Sequence, residues 1–207
     1  MKLLIAGAGG HGRVVADAAL ASGKFSQIAF LDDGFPSLVI REKWPVVGRL
    51  DSLPTFFGEY TMLFSAFGVA AFRLKVVMRA SEVGFKCPTI VHPAATVSRY
   101  ASIGDGSVVC AGGIVNIGVV LGHGCIVNTG ATVDHDCRID EGVHICPGGH
   151  LAGNVEIGSR TWFGVGAVAK QGVKIGADVT IGAGAVVISD VPAGKTFVGI
   201  PAREMIR

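Results

Sequence analysis

The sequence has little charge and no long apolar run. Charged residues make up 16% of its 207 positions, below the usual share of about 25%. The formal net charge of +2 gives no electrostatic footprint for binding nucleic acid. Half of the residues are hydrophobic, but no apolar run approaches the roughly 18 residues that a membrane-spanning helix needs. The apolar residues are spaced along the chain, so we expect them to form a core.

The cysteines form no CxxC pair. There are five of them, an odd number, and no secretory signal accompanies them, which favours free thiols in a reducing cytoplasm. The apolar start of the chain leads into a glycine motif rather than a cleavage site, so we interpret Lys2–Ala6 as a first strand. We therefore expect a cytoplasmic protein.

Glycine is abundant, with 31 residues, and large apolar residues recur every six positions from Val91 to Val187. A period of six fits neither a helix nor a simple alternating strand. Short fixed repeats of this kind are typical of a parallel β-helix, with one short strand and one corner in each repeat. Compact residues four positions after each large one are expected to let the chain turn. Glycines directly after the large residue, such as Gly104 and Gly158, are also expected to suit the corners.

The first part of the chain alternates between strand and helix patterns. This alternation predicts a small parallel α/β sheet, so we expect one domain over residues 1–86 and the repeats over residues 87–207. The expected elements are strands at 2–6, 27–31, 61–67 and 87–91, helices at 13–20 and 70–83, and a short helix from Asp51 or Ser52, with 45–48 irregular.

A glycine motif lies between the first strand and the first helix. Gly7-x-Gly9-x-x-Gly12 fits a phosphate-binding loop, whose amide groups and helix N-terminus favour an anion. Asp32 follows twenty residues later, where an acid can bind a ribose hydroxyl. The domain is short for a dinucleotide and suits a mononucleotide, such as that of an activated sugar. An NAD-binding Rossmann domain and a ligand-free turn remain alternatives.

One repeat carries a histidine between two acids, Asp134-His135-Asp136. Histidine can act as a base near neutral pH, and a carboxylate partner would orient its ring and raise its basicity. If each coil holds eighteen residues, Gly153 stacks beside His135, and Val165 and Ala183 stack on each other on a different face. His123, His144 and His150 raise the possibility of a zinc site, but their spacing disfavours one, and we expect no metal.

The repeats Ile157-Gly158-x-x-Thr161-x and Ile181-Gly182-x-x-Ala185-x resemble those of the left-handed β-helix acyltransferases. Together with the glycine motif, Leu31-Asp32-Asp33 and Ala66-Phe67-Gly68, they make nearly the whole chain similar to bacterial nucleotide-sugar acetyltransferases of bacillosamine and sialic-acid pathways. The resemblance implies a Rossmann-like α/β domain, a left-handed parallel β-helix, a homotrimer and acetyl-CoA as co-substrate.

The resemblance also implies roles for individual residues. His135 would be the catalytic base with Asp136 as its partner. The nucleotide sugar would contact Gly9, Gly10, His11, Asp32, Asp33 and Gly68. Acetyl-CoA would contact His144, Val165 and Ala183. The eighteen-residue coil, rather than the resemblance, adds Gly153 to the acetyl-CoA contacts, because its N–H would face the acetyl carbonyl beside His135 as an oxyanion donor. The family usually has glutamate where this chain has Asp136.

The expected activity is acetyl transfer from acetyl-CoA to the amino group of a nucleotide-linked sugar. The expected acceptor is a UDP-4-amino-4,6-dideoxy-N-acetylhexosamine. Alternatives within the same class are a sialic acid O-acetyltransferase and a GDP-perosamine N-acetyltransferase. An NAD-linked oxidoreductase and a non-catalytic hexapeptide scaffold are more remote. We expect neither a nucleic-acid partner nor a membrane span.

Overall fold

A computed structural model describes residues 1–205 of the chain. Its contacts divide the chain into two compact units, Met1–Pro93 and a second unit from Ala94 onward. Among residues 1–205, no helix is long and apolar enough to cross a lipid bilayer.

The first unit contains a five-stranded sheet in the order β3-β4-β2-β1-β5. Its elements are β1 (Lys2–Ala6), α1 (Gly10–Ala21), β2 (Gln27–Leu31), β3 (Ile40–Arg41), β4 (Trp44–Gly48), a 3-10 helix (Leu50–Phe56), β5 (Met62–Ser65) and α2 (Ala70–Val83). The strands pair in parallel except β3 with β4. The central strand β1 is fully buried from Leu3 to Ala6, as expected of a parallel strand whose two faces are both covered.

The hairpin β3–β4 differs from the sequence prediction, which treated residues 45–48 as irregular. A proline cannot donate to a strand ladder and therefore argues against a strand. Here Pro45 lies opposite Ile40 of the two-residue edge strand β3, where the missing N–H interrupts little pairing. Trp44 is buried and packs edge-to-face on Phe30, with ring centroids 6.2 Å apart. This contact anchors the hairpin to the sheet.

The short helix is also shifted from the prediction. It is a 3-10 helix whose N-cap is Arg49, with no side-chain cap hydrogen bond. Asp51 and Ser52, the predicted caps, lie inside it. The Ser52 hydroxyl instead donates to the Arg49 carbonyl at 2.6 Å, which satisfies a carbonyl rather than an exposed amide of the helix start.

The second unit is a parallel β-helix. Residues eighteen apart pair in register, as Ile114 does with Thr132 and Thr132 with His150, so one coil holds eighteen residues and three short strands. Three sheets result. Each sheet forms one face of the solenoid, named here after one of its residues. The His144 face includes strands 108–109, 126–127, 144–145, 162–163, 180–181 and 196–198, and the His150 face includes strands 96–97, 114–115, 132–133, 150–151, 168–169 and 186–187. The Arg138 face includes strands 102–103, 120–121, 138–139, 156–157 and 174–175. Strand Arg203–Glu204 pairs antiparallel with Thr196–Val198, and Ile90–Val91 lies at the end of the first unit.

The six-residue period has a direct physical cause. The second residue of each strand points inward, and residues such as Val127, Ile145 and Phe163 are buried. The compact residues four positions later, including Cys125 and Cys137, are buried as well. They fill the corners of the core, where a larger side chain would not fit. The first residue is exposed or half-buried in most strands of this unit, but Val108, Ile126 and His144 on the His144 face are buried.

The glycines directly after the large residues have a different role from the one predicted. Left-handed backbone occurs two positions further on, as at Gly112 (φ 69°) and Gly130 (φ 65°). A Cβ on Gly104 would lie 2.5 Å from the carbonyl carbon of Gly122, and one on Gly158 would lie 2.5 Å from the amide nitrogen of Ala177. These glycines are therefore required because neighbouring coils approach closely.

Candidate active site

The glycine loop joins β1 to α1 and leaves the start of the helix open. A Cβ on Gly12 would overlap the Gly7 carbonyl oxygen, so this tight turn requires glycine. Gly9 is the N-cap of α1 and, because it has no side chain, it leaves the first amide groups of the helix without a side-chain cap. Nothing lies within 4 Å of the Cβ positions of Gly9 and Gly10. The first amide groups of α1 can therefore face an anion.

Asp32 holds this loop in place. Its Oδ2 accepts a hydrogen bond from the Ala8 amide at 2.8 Å, and its Oδ1 accepts one from the Gly34 amide at 2.9 Å. The carboxylate therefore links the end of β2 to the glycine loop. A ribose hydroxyl, the partner predicted for Asp32, would have to use the remaining lone pairs of these two oxygens.

His11 and Gly68 lie near a buried arginine that the sequence analysis did not identify. Arg73 is fully buried, and its Nη1 donates to the carbonyls of Phe67 (2.7 Å) and Gly68 (2.9 Å). Burial, with the charge of Arg73, lowers the pKa of His11 to about 4, so this ring is neutral near neutral pH. An arginine in the first turn of α2 opposes the helix dipole, and that conflict was the available sequence signal.

Asp33 lies on the rim of a cavity of about 270 Å³. Its Oδ1 accepts a hydrogen bond from the Leu50 amide at 3.1 Å and lies 3.7 Å from Nη2 of Arg49. The cavity wall also includes Leu53, Phe72, Lys75, Val76 and Arg79. Asp51 also lies on the wall, so an apolar floor is bordered by three basic and two acidic side chains, a lining that suits a planar polar ring.

His135 and Asp136 form a hydrogen-bonded pair at the corner between the His150 and Arg138 faces. The His135 Nδ1 lies 2.9 Å from Oδ2 of Asp136. A carboxylate only accepts, so Nδ1 carries the proton and Nε2 keeps its lone pair. The hydrogen bond to Asp136 raises the pKa of His135. The side chain of His135 is 50% exposed, so Nε2 can receive a proton from a ligand.

Asp134 and Asn116 fix the backbone of this corner. One oxygen of Asp134, Oδ1, accepts hydrogen bonds from the His135 amide and from Nδ2 of Asn116, both at 2.8 Å. These two bonds, that of the His135 amide above all, lower the pKa of Asp134. Asn116 was not identified from the sequence, although it stands eighteen residues before Asp134 and therefore in the same column of the solenoid.

Two glycines leave room for the pair. A Cβ on Gly153 would collide with Nε2 of His135, and a Cβ on Gly118 would collide with Oδ1 of Asp136. The predicted stacking of Gly153 beside His135 is confirmed, because the Asn154 amide donates to the His135 carbonyl at 2.9 Å. Gly153 is itself buried. Its role as an oxyanion donor stays a prediction.

His144 has a defined tautomer. It is only 7% exposed and packs edge-to-face on Trp162 with ring centroids 4.5 Å apart. Its Nε2 lies 3.0 Å from Nδ2 of Asn128, while Oδ1 of Asn128 accepts from the Thr129 amide at 2.8 Å. Because Nδ2 is a donor, Nε2 of His144 must accept, and its proton resides on Nδ1. Asn128 and Trp162 had no predicted role.

Val165 and Ala183 lie at a different corner, between the His144 and His150 faces. The amide that follows Ala183, that of Gly184, donates to the Val165 carbonyl at 2.8 Å, so the two residues stack as predicted. Val165 is 53% exposed. Within a single chain, this corner and the His135 corner are separated by the His150 face.

The three histidines considered for a zinc site, His123, His144 and His150, do not point toward a common centre. His123 lies at the third corner, and His150 points outward with Nδ1 2.9 Å from the Thr132 hydroxyl. Among residues 1–205, no group of three or more His, Cys, Asp or Glu side chains is arranged to hold a metal ion.

Comparison with known proteins gives the family. The model of the PglD N-terminal domain matches residues 2–80, and that of the bacterial transferase hexapeptide (six repeats) matches residues 154–189. A GDP-perosamine N-acetyltransferase of Escherichia coli O157:H7 is 39% identical over 150 residues, which cover 68% of each chain. The chain belongs to the PglD-type hexapeptide acetyltransferases.

The chain is similar in structure to other hexapeptide acetyltransferases over 99% or more of its length. The acetyltransferase domain of PglB from Neisseria gonorrhoeae, in complex with acetyl coenzyme A, is 46% identical, with a TM-score of 0.95 and coverage of 99% and 98%. A mutant of perosamine N-acetyltransferase from Caulobacter crescentus, in complex with CoA and GDP-perosamine, is 36% identical, with a TM-score of 0.94 and coverage of 100% and 98%. The predicted fold class, an α/β domain followed by a hexapeptide β-helix, is confirmed.

Proposed function

We propose that this acetyltransferase moves acetyl from acetyl-CoA to the amino group of a nucleotide-linked amino sugar. The observation that carries the proposal is the His135–Asp136 pair, in which Nδ1 of the ring faces the carboxylate and Nε2 is accessible. The PglB domain that binds acetyl coenzyme A and the perosamine enzyme that binds CoA and GDP-perosamine support the two substrates. The proposed acceptor is a UDP-4-amino-4,6-dideoxy-N-acetylhexosamine. GDP-perosamine is the second candidate, because one relative is named a GDP-perosamine N-acetyltransferase and another was solved in complex with GDP-perosamine.

The His135–Asp136 pair performs the proton transfer. The neutral amine attacks the thioester carbonyl carbon, and Nε2 of His135 takes the proton that the new ammonium releases. The Asp136 carboxylate stabilises the imidazolium through Nδ1–H. When the tetrahedral intermediate collapses, the C–S bond breaks, and the imidazolium returns the proton to the sulfur of CoA. In this proposal the Gly153 N–H stabilises the oxyanion.

Acetyl-CoA would occupy the corner that carries Val165 and Ala183, with His144 near the acetyl group. Because this corner and the His135 corner lie at opposite edges of one face, a second subunit has to bring them together. The chain acts as an oligomer in this proposal, and the family resemblance makes that oligomer a homotrimer. Val165, Trp162 and Ile200 are exposed in the single chain, as expected of an apolar surface that association would cover.

The nucleotide sugar would bind at the carboxyl ends of β1, β2 and β5, where ligands of parallel sheets lie. Its diphosphate would face the open amides of Gly9 and Gly10, with neutral His11 as a hydrogen-bond partner. The base would enter the cavity beside Asp33, and Gly68 would line the opposite side. The five cysteines are all buried and free, which supports the expectation of a reducing cytoplasm.

The direct test is acetyl transfer by the purified protein, followed through the free thiol of released CoA. Acetyl-CoA would be combined in turn with the UDP-4-amino sugar, GDP-perosamine and sialic acid. We expect transfer to one of the two amines and almost none in His135→Ala. Transfer to sialic acid alone would replace N-acetylation with O-acetylation, and turnover of none of the three would refute the proposal.

A further inference from the structure

The hairpin β3–β4 reaches over the carboxyl end of the sheet. In the sheet order, β3 stands three places from β1. Even so, Arg41 at the end of β3 donates from Nε to the Ala8 carbonyl at 2.8 Å, in the loop that follows β1. The next residue, Glu42, accepts from Nη1 of Arg13 on α1 at 2.9 Å. Two consecutive hairpin residues thus hold the glycine loop and the helix start.

The guanidinium of Arg41 has further donors to offer. The residue is half-buried, and its Nε–H is the only one of five N–H groups that bonds to residues 1–205. The bond to Ala8 fixes the guanidinium plane beside the loop, close to the open positions of Gly9 and Gly10. A planar guanidinium held in this way is preorganised to bind a phosphate through its two Nη groups.

The charges around the loop favour an anion. Both oxygens of Asp32 already accept backbone amides, and the carboxylate of Glu42 is paired with Arg13. The positive end of α1 and the Arg41 cation therefore adjoin the same loop, beside which the carboxylates of Asp32 and Glu42 are both engaged. If one phosphate of a diphosphate binds at the N-terminus of α1, the second phosphate would lie near the Arg41 guanidinium, which is bonded to the Ala8 carbonyl.

We propose that Arg41 binds the diphosphate of the nucleotide sugar and makes the site select nucleoside diphosphates over monophosphates. The inference rests on the proposed function, because it assigns a residue to the same nucleotide site. Amides at the start of α1 contact either kind of nucleotide, whereas Arg41 adds its charge-assisted hydrogen bonds only when a second phosphate is present.

Titration calorimetry with UDP, GDP, UMP and GMP tests this selectivity. Arg41→Gln should weaken binding of the preferred diphosphate about 10- to 100-fold, the range of hydrogen bonds to charged groups, and change monophosphate binding far less. The matched control is Lys43→Gln, which removes a cation of the same hairpin, one whose Nζ lies 5.6 Å from the Trp44 ring centroid. This control should leave the ratio of the two affinities unchanged.

A second variant separates binding from folding. Arg41→Lys keeps the positive charge and loses the planar fork, so it should lose part of the diphosphate selectivity with a wild-type melting temperature. Equal weakening of diphosphates and monophosphates, or unchanged diphosphate affinity in both variants, would overturn the role of Arg41 alone. A wild-type protein that binds neither UDP nor GDP would overturn the proposed nucleotide site as well.

Discussion

Gly153→Ala should lower the activity of the enzyme strongly without unfolding it. The added Cβ would lie 2.5 Å from Cε1 and 3.0 Å from Cδ2 of His135, and closer still to Nε2. Carbon atoms in contact normally stand about 3.5 to 4.0 Å apart, so the imidazole must move by about 1 Å. The backbone itself accepts a side chain in this column, since Gln171 stands there one coil later. Only the position of the His135 ring should change.

The expected result is a fall in kcat of about 10²-fold, the cost of a catalytic group misplaced by about 1 Å. Because the side chain of His135 is half-exposed, the ring can swing toward solvent, and the melting temperature should change little. Alanine keeps the amide N–H, so an oxyanion bond from residue 153 would persist. The assay is the initial rate of thiol release from acetyl-CoA with the 4-amino sugar.

The control is the same substitution in the His135→Ala background. With the ring removed, the new methyl group has no collision, and kcat should not fall further. If Gly153→Ala alone keeps more than about half of the wild-type kcat, the ring position seen here is not the one that catalysis requires. If the substitution lowers the rate equally in both backgrounds, Gly153 acts independently of His135.

Four further predictions follow from the same geometry. His135→Ala should lower kcat about 10²- to 10⁴-fold, as loss of a general base does, with the KM for acetyl-CoA nearly unchanged; a kcat above a tenth of wild type would refute base catalysis there. A base must be neutral, so kcat/KM should fall as the pH drops below the raised pKa of His135. Asp136→Asn should move this acidic side of the pH profile to lower pH, because the hydrogen bond that raises the pKa of His135 is lost. An acidic side that stays at the same pH would contradict the pairing of Asp136 with His135. Asp32→Ala should raise the KM for the nucleotide sugar while sparing acetyl-CoA, because it releases the Ala8 and Gly34 amides; weaker acetyl-CoA binding would mean that the sites are misassigned. Light scattering should give a trimer, and a fully active monomer would exclude a shared site.

The second unit was predictable because its geometry repeats. Every inward position must be apolar to bury the core, so Val127, Ile145 and Phe163 recur at a fixed period that survives in the sequence. Once one coil is assigned eighteen residues, the stacking of Gly153 on His135 follows by counting. The same counting would also have paired Asn116 with Asp134, since these residues stand one coil apart.

The first unit was less predictable because its key contacts are not periodic. Arg41 bonds to Ala8 and Arg73 to Phe67 and Gly68, and no fixed spacing connects these pairs. Pro45 concealed the hairpin that carries Arg41, because a proline is usually evidence against a strand. Asp32 was singled out by its position, but its bonds to backbone amides depend on how the loop folds back on β2.

Four left-handed corners of the solenoid carry a residue other than glycine. Glycine occupies most of the corner positions that have left-handed backbone. The exceptions are Asp136 (φ 60°), Asn154 (φ 60°), Arg160 (φ 61°) and Asp178 (φ 55°). Such a conformation is unfavourable for residues with a Cβ, least so for Asn and Asp. Arg160 and Asp178 bond each other in a bidentate pair at 2.8 and 2.6 Å across neighbouring coils, which ties coil to coil. The Asp136 carboxylate instead bonds its own neighbour in the chain, His135, whereas the bond from Asp136 to the next coil comes from its backbone amide, which donates to the Ile117 carbonyl at 3.1 Å and would be present with any residue other than proline. Because glycine would fit this corner better, the carboxylate of Asp136 is best explained by its action on the imidazole.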